Sequence, residues 1–126
     1  MQKIYFFFLL TLLSCTAGDA QSKLDAAQTK KMLQNDRSVQ LVDLRTPVEI
    51  QQTGKIEGAL TINFNDPAFQ AQIARLDKTR PVLLYCAAGG RSGRASTQLV
   101  NMGFQKVYDY AGGMNDWKAK GQKTTP

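Results

Sequence analysis

The 126-residue chain contains no histidine, and this absence narrows the chemistry that it can perform. Without an imidazole ring there is no Ser-His-Asp triad and no Cys-His pair, which are common ways to activate a side-chain nucleophile. A histidine-ligated zinc site is excluded for the same reason, and the 2 cysteines are too few to hold zinc by thiolates alone. We therefore expect no metal site and no bound cofactor.

Acidic residues are also few, with 10 Asp and Glu against 16 Lys and Arg, so the formal net charge is +6. A basic chain attracts anions or an acidic membrane surface, although such charge more often only solvates the protein. The basic residues are scattered and are not interleaved with aromatic residues in the manner of a nucleic-acid-binding surface. We therefore expect no nucleic-acid partner. The length and the apolar fraction of 43% are those of one globular domain.

The longest apolar run lies at the N-terminus and predicts a secretory signal peptide. Lys3 is followed by the largely apolar residues 4–13 and then by small residues up to Ala20, which is the order of a signal peptide. The run is shorter than the roughly 20 apolar residues that cross a bilayer. We assign residues 1–20 to the signal and residues 21–126 to the folded domain, and we expect the mature protein to be located in the periplasm.

A second interpretation of the same segment is a lipoprotein signal that ends before Cys15. The residues Leu12-Leu13-Ser14-Cys15 resemble a bacterial lipobox, in which the cysteine is acylated and becomes the first residue of the mature protein. The protein would then be attached to the membrane through lipidated Cys15. In both interpretations Cys86 is the only free thiol of the folded domain, and an unpaired cysteine in an exported protein is a candidate reactive thiol.

Predicted strands and helices alternate along the domain. Residues 21–36 are predicted to form a helix with Leu24, Ala27 and Leu33 on one side. The run 81–86 is continuously apolar, as in a strand covered on both faces. The alternation predicts an α/β fold with a central, mostly parallel sheet and helices on both faces. The other predicted elements are strands at 39–43, 59–64 and 107–109, helices at 46–53, 66–76, 91–102 and 114–120, and a frayed tail at 121–126.

Cys86 stands between the end of the apolar strand and the start of a helix. In open α/β folds this edge of the sheet forms the binding crevice, and the N–H groups of a strand-loop-helix junction bind anions. Residues 87–90, Ala-Ala-Gly-Gly, leave the backbone accessible, and Arg91 adds positive charge. We expect the pKa of the Cys86 thiol to lie below its usual value of about 8.5 and the loop to stabilise a persulfide anion. A cysteine buried for packing alone is the alternative interpretation.

Residues 86–92, Cys-Ala-Ala-Gly-Gly-Arg-Ser, resemble the active-site loop of the rhodanese family, whose pattern is Cys-x-x-Gly-x-Arg-Ser. Three further segments resemble family landmarks in the same order. They are residues 41–45 with Asp-x-Arg, residues 54–59 with Gly-x-Ile-x-Gly-Ala, and residues 103–117 with Gly-Phe, Gly-Gly and Trp. The resemblance extends over about residues 24–121 and departs from the family at Lys55, where histidine is usual.

The resemblance implies a single-domain sulfurtransferase. Cys86 would take sulfane sulfur from a small anionic donor such as thiosulfate, form a persulfide, and pass the sulfur to a thiol or cyanide acceptor. Asp43 and Arg45 are implied to support the loop and the sheet as an ion pair rather than to contact substrate. The residues implied to bind the donor are those that follow the catalytic cysteine, namely Ala87, Ala88, Gly89, Gly90, Arg91 and Ser92.

Two other functions stay open at this point. Phosphatases and arsenate reductases of the related dual-specificity type also hold an anion in a loop from Cys to Arg, but with five intervening residues and a histidine before the cysteine. Here four residues separate Cys86 from Arg91, and Tyr85 precedes the cysteine. The other alternative is a non-enzymatic module that binds a partner or carries sulfur for it. The shorter spacing and Tyr85 favour sulfur transfer over the first alternative, and the presence of Cys86 with a complete loop favours sulfur chemistry over the second.

Overall fold

The computed structural model describes residues 20–126, whose centre is a five-stranded sheet. The strands are β1 (Gln21–Leu24), β2 (Gln40–Asp43), β3 (Leu60–Thr61), β4 (Val82–Tyr85) and β5 (Val107–Tyr110). They lie in the order β1-β5-β4-β2-β3, and every neighbouring pair is parallel. This confirms the predicted α/β fold. The helices are α1 (Ala26–Asn35), α2 (Pro47–Thr53), α3 (Phe69–Ile73), α4 (Gly90–Asn101) and α5 (Gly113–Ala119).

Helices cover both faces of the sheet, as predicted. On one face Phe69 and Ile73 of α3 and Leu99 of α4 form a core cluster with the strands. On the other face Met114 and Trp117 of α5 pack with α1 and the strands. The central strand β4 is buried along its whole length, and each fully buried large apolar side chain stabilises the fold by roughly 1.5–3 kcal/mol. The end of β4, which leads into Cys86, is therefore held firmly from both sides.

The signal-peptide prediction and Cys15 with its alternative lipobox concern residues 1–19, which lie outside the described residues. Ala20, the first described residue, already joins the sheet, because its carbonyl accepts a hydrogen bond of 2.7 Å from the Val107 N–H. The longest helix in residues 20–126 is α4, with 12 residues. No helix of this part of the chain is long and apolar enough to cross a membrane.

The prediction of one helix over residues 21–36 is wrong in its first part. Gln21–Leu24 forms β1 and pairs with β5, and α1 begins only after Asp25. The Asp25 side chain accepts a hydrogen bond from the Gln28 N–H while the Gln28 side chain accepts one from the Asp25 N–H, which is a capping box. Ala27, expected on the inner side, is exposed, because starting the helix at residue 26 turns Ala26 inward instead.

The prediction of a frayed tail over residues 121–126 is also wrong. The Trp117 indole donates a hydrogen bond of 2.9 Å to the Lys123 carbonyl. Lys55 and Thr125 exchange two backbone hydrogen bonds of 2.7 and 2.8 Å. The tail is thus tied to the α2–β3 connection. Its own sequence carries no sign of the pairing with Lys55, because that partner lies 70 residues earlier in the chain.

The predicted bounds of α2 are confirmed, whereas those of β3 are too wide. Thr46 caps α2, Pro47 occupies its first turn, and the helix ends at Gly54. β3 contains only Leu60 and Thr61 of the predicted residues 59–64. It is an edge strand next to β2. The Ile62 and Phe64 N–H groups still donate to the Asp43 and Leu44 carbonyls, so the alternating sequence pattern extends beyond the regular strand pairing.

Candidate active site

Cys86 lies directly after β4, at the edge of the sheet where the strands end and α4 begins. Ala88 and Gly90 of the loop that follows are exposed, and Ala87 is half-buried. Cys86 itself has 0% exposure. The loop is therefore at the surface, whereas the start of α4 covers the sulfur of its cysteine.

Hydrogen-bond donors of the loop and of α4 surround the Cys86 sulfur. The Gly89 N–H and the Ser92 N–H donate to Sγ over 3.2 and 3.4 Å, and the Ser92 hydroxyl oxygen lies 3.6 Å from it. Burial by itself raises the pKa of the thiol, but these donors from Ser92 and Gly89, together with the Ala88 N–H, outweigh it and lower the pKa. The lowered pKa agrees with the expectation from the loop sequence.

The conformation of the loop depends on two glycines with positive φ, Gly89 at 97° and Gly113 at 62°. A Cβ on Gly89 would lie 2.5 Å from the Ala111 carbonyl oxygen. Gly113 begins α5, whose first N–H groups hold the loop: Met114 donates to the Cys86 carbonyl over 2.8 Å and Asn115 donates to the Ala87 carbonyl over 3.0 Å. The Gly112-Gly113 turn therefore fixes the position of Cys86.

We expect Gly113→Ala to destabilise the domain and to displace the Cys86 loop. The new Cβ would lie 2.6 Å from the Ala87 carbonyl oxygen, in addition to the strain of a positive φ. Together these cost about 2–4 kcal/mol in the free energy of unfolding, measurable by urea denaturation. Gly58→Ala is the matched control, because Gly58 has φ 81° with nothing within 4 Å of its Cβ position, so only the strain of about 1 kcal/mol applies. Equal losses would contradict the role of Gly113.

Arg91 forms a two-pronged ion pair with Glu49 of α2. Its terminal nitrogens donate to the Glu49 carboxylate over 2.8 and 2.7 Å, and the two side chains are 17% and 32% exposed. The pKa of Arg91 is raised, first by Glu49 and also by the Cys86 sulfur. The Arg91 guanidinium is therefore aligned by a carboxylate that the sequence interpretation did not single out.

Glu49 is held in place by the same motif that starts α2. Its Oε2 accepts hydrogen bonds of 2.9 Å from both the N–H and the hydroxyl of Thr46. The spacing Thr46-x-x-Glu49 is a capping-box signature visible in the sequence. That signal points to a helix start, and only the folded chain shows that the same carboxylate also reaches Arg91, 42 residues later.

The ion pair predicts a pH dependence of stability. Hydrogen bonds from Arg91 lower the pKa of Glu49 from 4.5 to about 2, against the opposing effect of burial. Because the folded pKa lies below the unfolded one, this stabilisation is full above about pH 4.5 and is lost as the pH falls towards 2. We expect a loss of about 1–2 kcal/mol after screening by solvent, since Glu49 is partly exposed. In Glu49→Gln the free energy of unfolding, measured by urea denaturation, should decrease less between pH 4.5 and pH 2 than in the unaltered protein. An equal decrease in both proteins would contradict this role of the ion pair.

A family model for the rhodanese-like domain matches residues 25–120. The chain belongs to the rhodanese-like family. A sulfurtransferase from Allochromatium vinosum is 32% identical over 100 residues, which cover 79% of this chain and 91% of that protein. The solved structure of a polysulfide-sulfur transferase from Wolinella succinogenes matches with a TM-score of 0.72 at 26% identity, covering 86% of this chain and 81% of that one. A protein from Rhodopseudomonas palustris described as a possible tyrosine phosphatase matches with a TM-score of 0.71 at 27% identity, covering 86% and 88%.

Asp43 and Arg45 form a buried ion pair in this rhodanese-like domain, as the sequence predicts. Arg45 donates to both carboxylate oxygens of Asp43 over 2.7 to 3.2 Å. Its other side-chain hydrogen bonds, both 2.7 Å, go to the Thr53 hydroxyl and the Gly54 carbonyl. The pair therefore anchors the end of α2 and not the Cys86 loop. Its support of the loop is indirect, because α2 carries Glu49.

Arg94, the second arginine at the start of α4, does not point to the sulfur. It is exposed, its guanidinium lies 5.1 Å from the centre of the Phe64 ring, and its Nε–H donates to the Gly90 carbonyl over 3.4 Å. Arg91 is thus the arginine that can act on an anion bound at Cys86. Within residues 20–126 no three Cys, Asp or Glu side chains are placed to hold a metal ion.

Proposed function

We propose that this rhodanese-like protein is a sulfurtransferase that carries sulfane sulfur as a persulfide on Cys86, from thiosulfate or a similar anionic donor to a thiol or cyanide acceptor. The observation that carries the proposal is the set of N–H donors directed at the Cys86 sulfur, which lowers its pKa. The thiolate is the nucleophilic form of cysteine, and the chain has no histidine to produce it by proton abstraction.

The reaction consists of two displacements at sulfur. The Cys86 thiolate attacks the outer sulfur of thiosulfate, an S–S bond forms, and the original S–S bond breaks with its electron pair leaving on sulfite. The terminal sulfur of the Cys86 persulfide is then attacked by cyanide or by a thiolate. The persulfide S–S bond breaks with its electron pair returning to Cys86, and the product is thiocyanate or the persulfide of the acceptor.

The loop residues have separate tasks in these steps. The N–H groups of Gly89 and Ser92 stabilise negative charge at the sulfur before attack and after the sulfur is handed on. The Arg91 guanidinium, aligned by Glu49, attracts the dianionic donor. Neither task requires a proton to be moved by a side chain. This suits a site whose acceptor and leaving groups are all anions.

The proposal is tested by the mass of the intact purified protein after incubation with thiosulfate. We expect a gain of one sulfur atom that cyanide then removes as thiocyanate. A sulfur that is gained but passed to no acceptor would favour a non-enzymatic sulfur carrier. No gain with any sulfane donor would refute the proposal, and hydrolysis of an aryl phosphate would then favour the phosphatase alternative. The four-residue spacing between Cys86 and Arg91 argues against that alternative.

We propose further that the protein is exported to the periplasm by residues 1–20, either released after Ala20 or retained through lipidated Cys15. The support is the order of basic, apolar and small residues. Cell fractionation with Cys15→Ser separates the two forms. If Cys15 is lipidated, the protein should move from the membrane to the soluble periplasmic fraction in this variant. If the protein is released after Ala20, the unaltered protein and the variant should both be soluble. Retention in the cytoplasm would contradict export.

A further inference from the structure

A hydrogen bond between Tyr110 and Asp116 closes the turn that leads from β5 into α5. Tyr110 is the last residue of β5 and is fully buried, and its hydroxyl donates to Asp116 Oδ2 over 2.7 Å. Residues 111–115 lie between the two partners in the chain. We refer to the Tyr110–Asp116 hydrogen bond as the clamp and to residues 111–115 as the β5–α5 turn. The steps of sulfur transfer described above give neither side chain a role.

The β5–α5 turn touches the Cys86 loop at three places. The N–H groups of Met114 and Asn115 donate to the carbonyls of Cys86 and of the residue after it, over 2.8 and 3.0 Å. At the third place the backbones approach so closely that a Cβ on Gly89 would lie 2.5 Å from the Ala111 carbonyl oxygen. The turn is therefore the surface against which the loop is shaped, and a shift of the turn would shift the loop.

These contacts act on the peptide groups that surround the sulfur. The Gly89 N–H donates to Cys86 Sγ over 3.2 Å, and its residue is the one pressed against Ala111. The carbonyl held by Asn115 belongs to the peptide group that ends in the Ala88 N–H. A peptide group whose oxygen accepts a hydrogen bond is more polarised and becomes a stronger donor. The turn thus both directs the loop donors and strengthens them.

The local structure around Asp116 is arranged so that the clamp can form. Lys120 pairs with Asp116 Oδ1, which leaves Oδ2 for the Tyr110 hydroxyl. A Cβ on Gly112 would lie 2.8 Å from Asp116 Oδ2, so any larger residue at position 112 would push the carboxylate away from the tyrosine. The second glycine of the Gly112-Gly113 pair touches the loop itself, whereas the first makes room for the clamp.

We propose that the clamp holds the β5–α5 turn in the position that shapes the Cys86 loop, so that Tyr110 and Asp116 are positioning residues for the chemistry of the sulfur. The inference rests on the proposed function, because it concerns how Cys86 holds negative charge and sulfur. With the clamp closed, the turn keeps its three contacts and the Gly89 N–H stays directed at Sγ. Without it, the start of α5 is no longer tied to the end of β5, and the loop loses a fixed support.

The test is the pKa of Cys86 in Tyr110→Phe, followed by the ultraviolet absorbance of the thiolate as a function of pH. The difference between each protein and the same protein with Cys86→Ser isolates the signal of this thiol. Phenylalanine keeps the ring in the core and removes only the hydroxyl. We expect the pKa of Cys86 to rise by about half a unit, because the loop donors are less well directed at the anion. This is roughly a threefold decrease in the thiolate-to-thiol ratio.

Tyr108→Phe is the matched control for the loss of a hydroxyl from β5. Tyr108 is half-buried in the same core cluster as Tyr110, but it lies outside the clamp. Its replacement should leave the pKa of Cys86 unchanged. An equal rise in this variant would show that any weakening of β5 affects the thiol, and would overturn the proposal.

Asp116→Ala opens the clamp from its other side, and it takes the place of Tyr110→Phe if that variant folds poorly. Because both side chains act through one hydrogen bond, the double variant should shift the pKa of Cys86 no further than either single variant. An unchanged pKa in the folded single variants, or shifts that add, would contradict the clamp. The titration involves no sulfur donor, so its failure is distinguishable from failure of the sulfurtransferase proposal, which the thiosulfate mass experiment reports.

Discussion

The Cys86→Ser variant is expected to gain no sulfur from thiosulfate and to transfer none to cyanide. The loop donors that lower the pKa of a thiol by stabilising its anion are far from sufficient to ionise a serine hydroxyl, which is a much weaker acid. No histidine is present to remove the proton instead. Thiocyanate formation, followed by colour with ferric ion, should therefore fall to the level of the uncatalysed reaction.

The fold of this variant is expected to persist, although the cysteine is buried. A serine oxygen is able to accept hydrogen bonds from the Gly89 and Ser92 N–H groups that now reach Sγ. The oxygen is smaller than sulfur, so we expect a loss of about 1–2 kcal/mol in the free energy of unfolding. Cys86→Ala should cost more, because it leaves these donors without an acceptor. Residual sulfur transfer in a folded Cys86→Ser variant would contradict the persulfide mechanism.

Removal of the Arg91 side chain is expected to have the second largest effect on sulfur transfer. Arg91→Ala takes away the cation near the sulfur and leaves the Glu49 carboxylate without its partner. A negative charge then remains where the dianionic donor approaches. Hydrogen bonds to charged groups contribute about 1.5–3 kcal/mol, so the thiosulfate concentration for half-maximal loading should increase about tenfold to a hundredfold.

Arg94→Ala is the matched control for this measurement. Arg94 is the other arginine in the first turns of α4, but it is exposed and lies over the Phe64 ring. Its removal changes the net charge equally and should alter the thiosulfate dependence by less than about threefold, because charge in solvent is screened. Glu49→Gln should give an intermediate effect, since Arg91 keeps its charge but loses its alignment. Equal effects of the two arginine variants would show that only total charge matters.

Local sequence signals were sufficient to predict the strand and the helix on either side of the Cys86 loop. The apolar run before Cys86 predicted a strand buried on both faces, and the small residues after it predicted a turn into a helix. The start of α2 was predicted from Thr46 and Pro47, because capping groups and the fixed φ of proline act within a single helical turn. These features depend on neighbours in the chain, so they are visible without the fold.

Signals that depend on distant partners were missed or misread. Gln21–Leu24 is too short and too polar to be predicted as a strand from its sequence. It forms one because it pairs with the edge of β5. The tail over residues 121–126 is ordered because Lys55 pairs with Thr125. In each case the stabilising hydrogen bond or contact joins residues that only the folded chain brings together.

The sequence by itself therefore determined the alternation of strands and helices, the family, and the candidate for the reactive thiol, because residue type and local order carry that information. Only the tertiary structure decided that Glu49 aligns Arg91 and that the Asp43–Arg45 pair anchors α2. The physical reason is that ion pairs and buried hydrogen bonds act over a few ångströms in space. Distance along the chain does not predict that proximity.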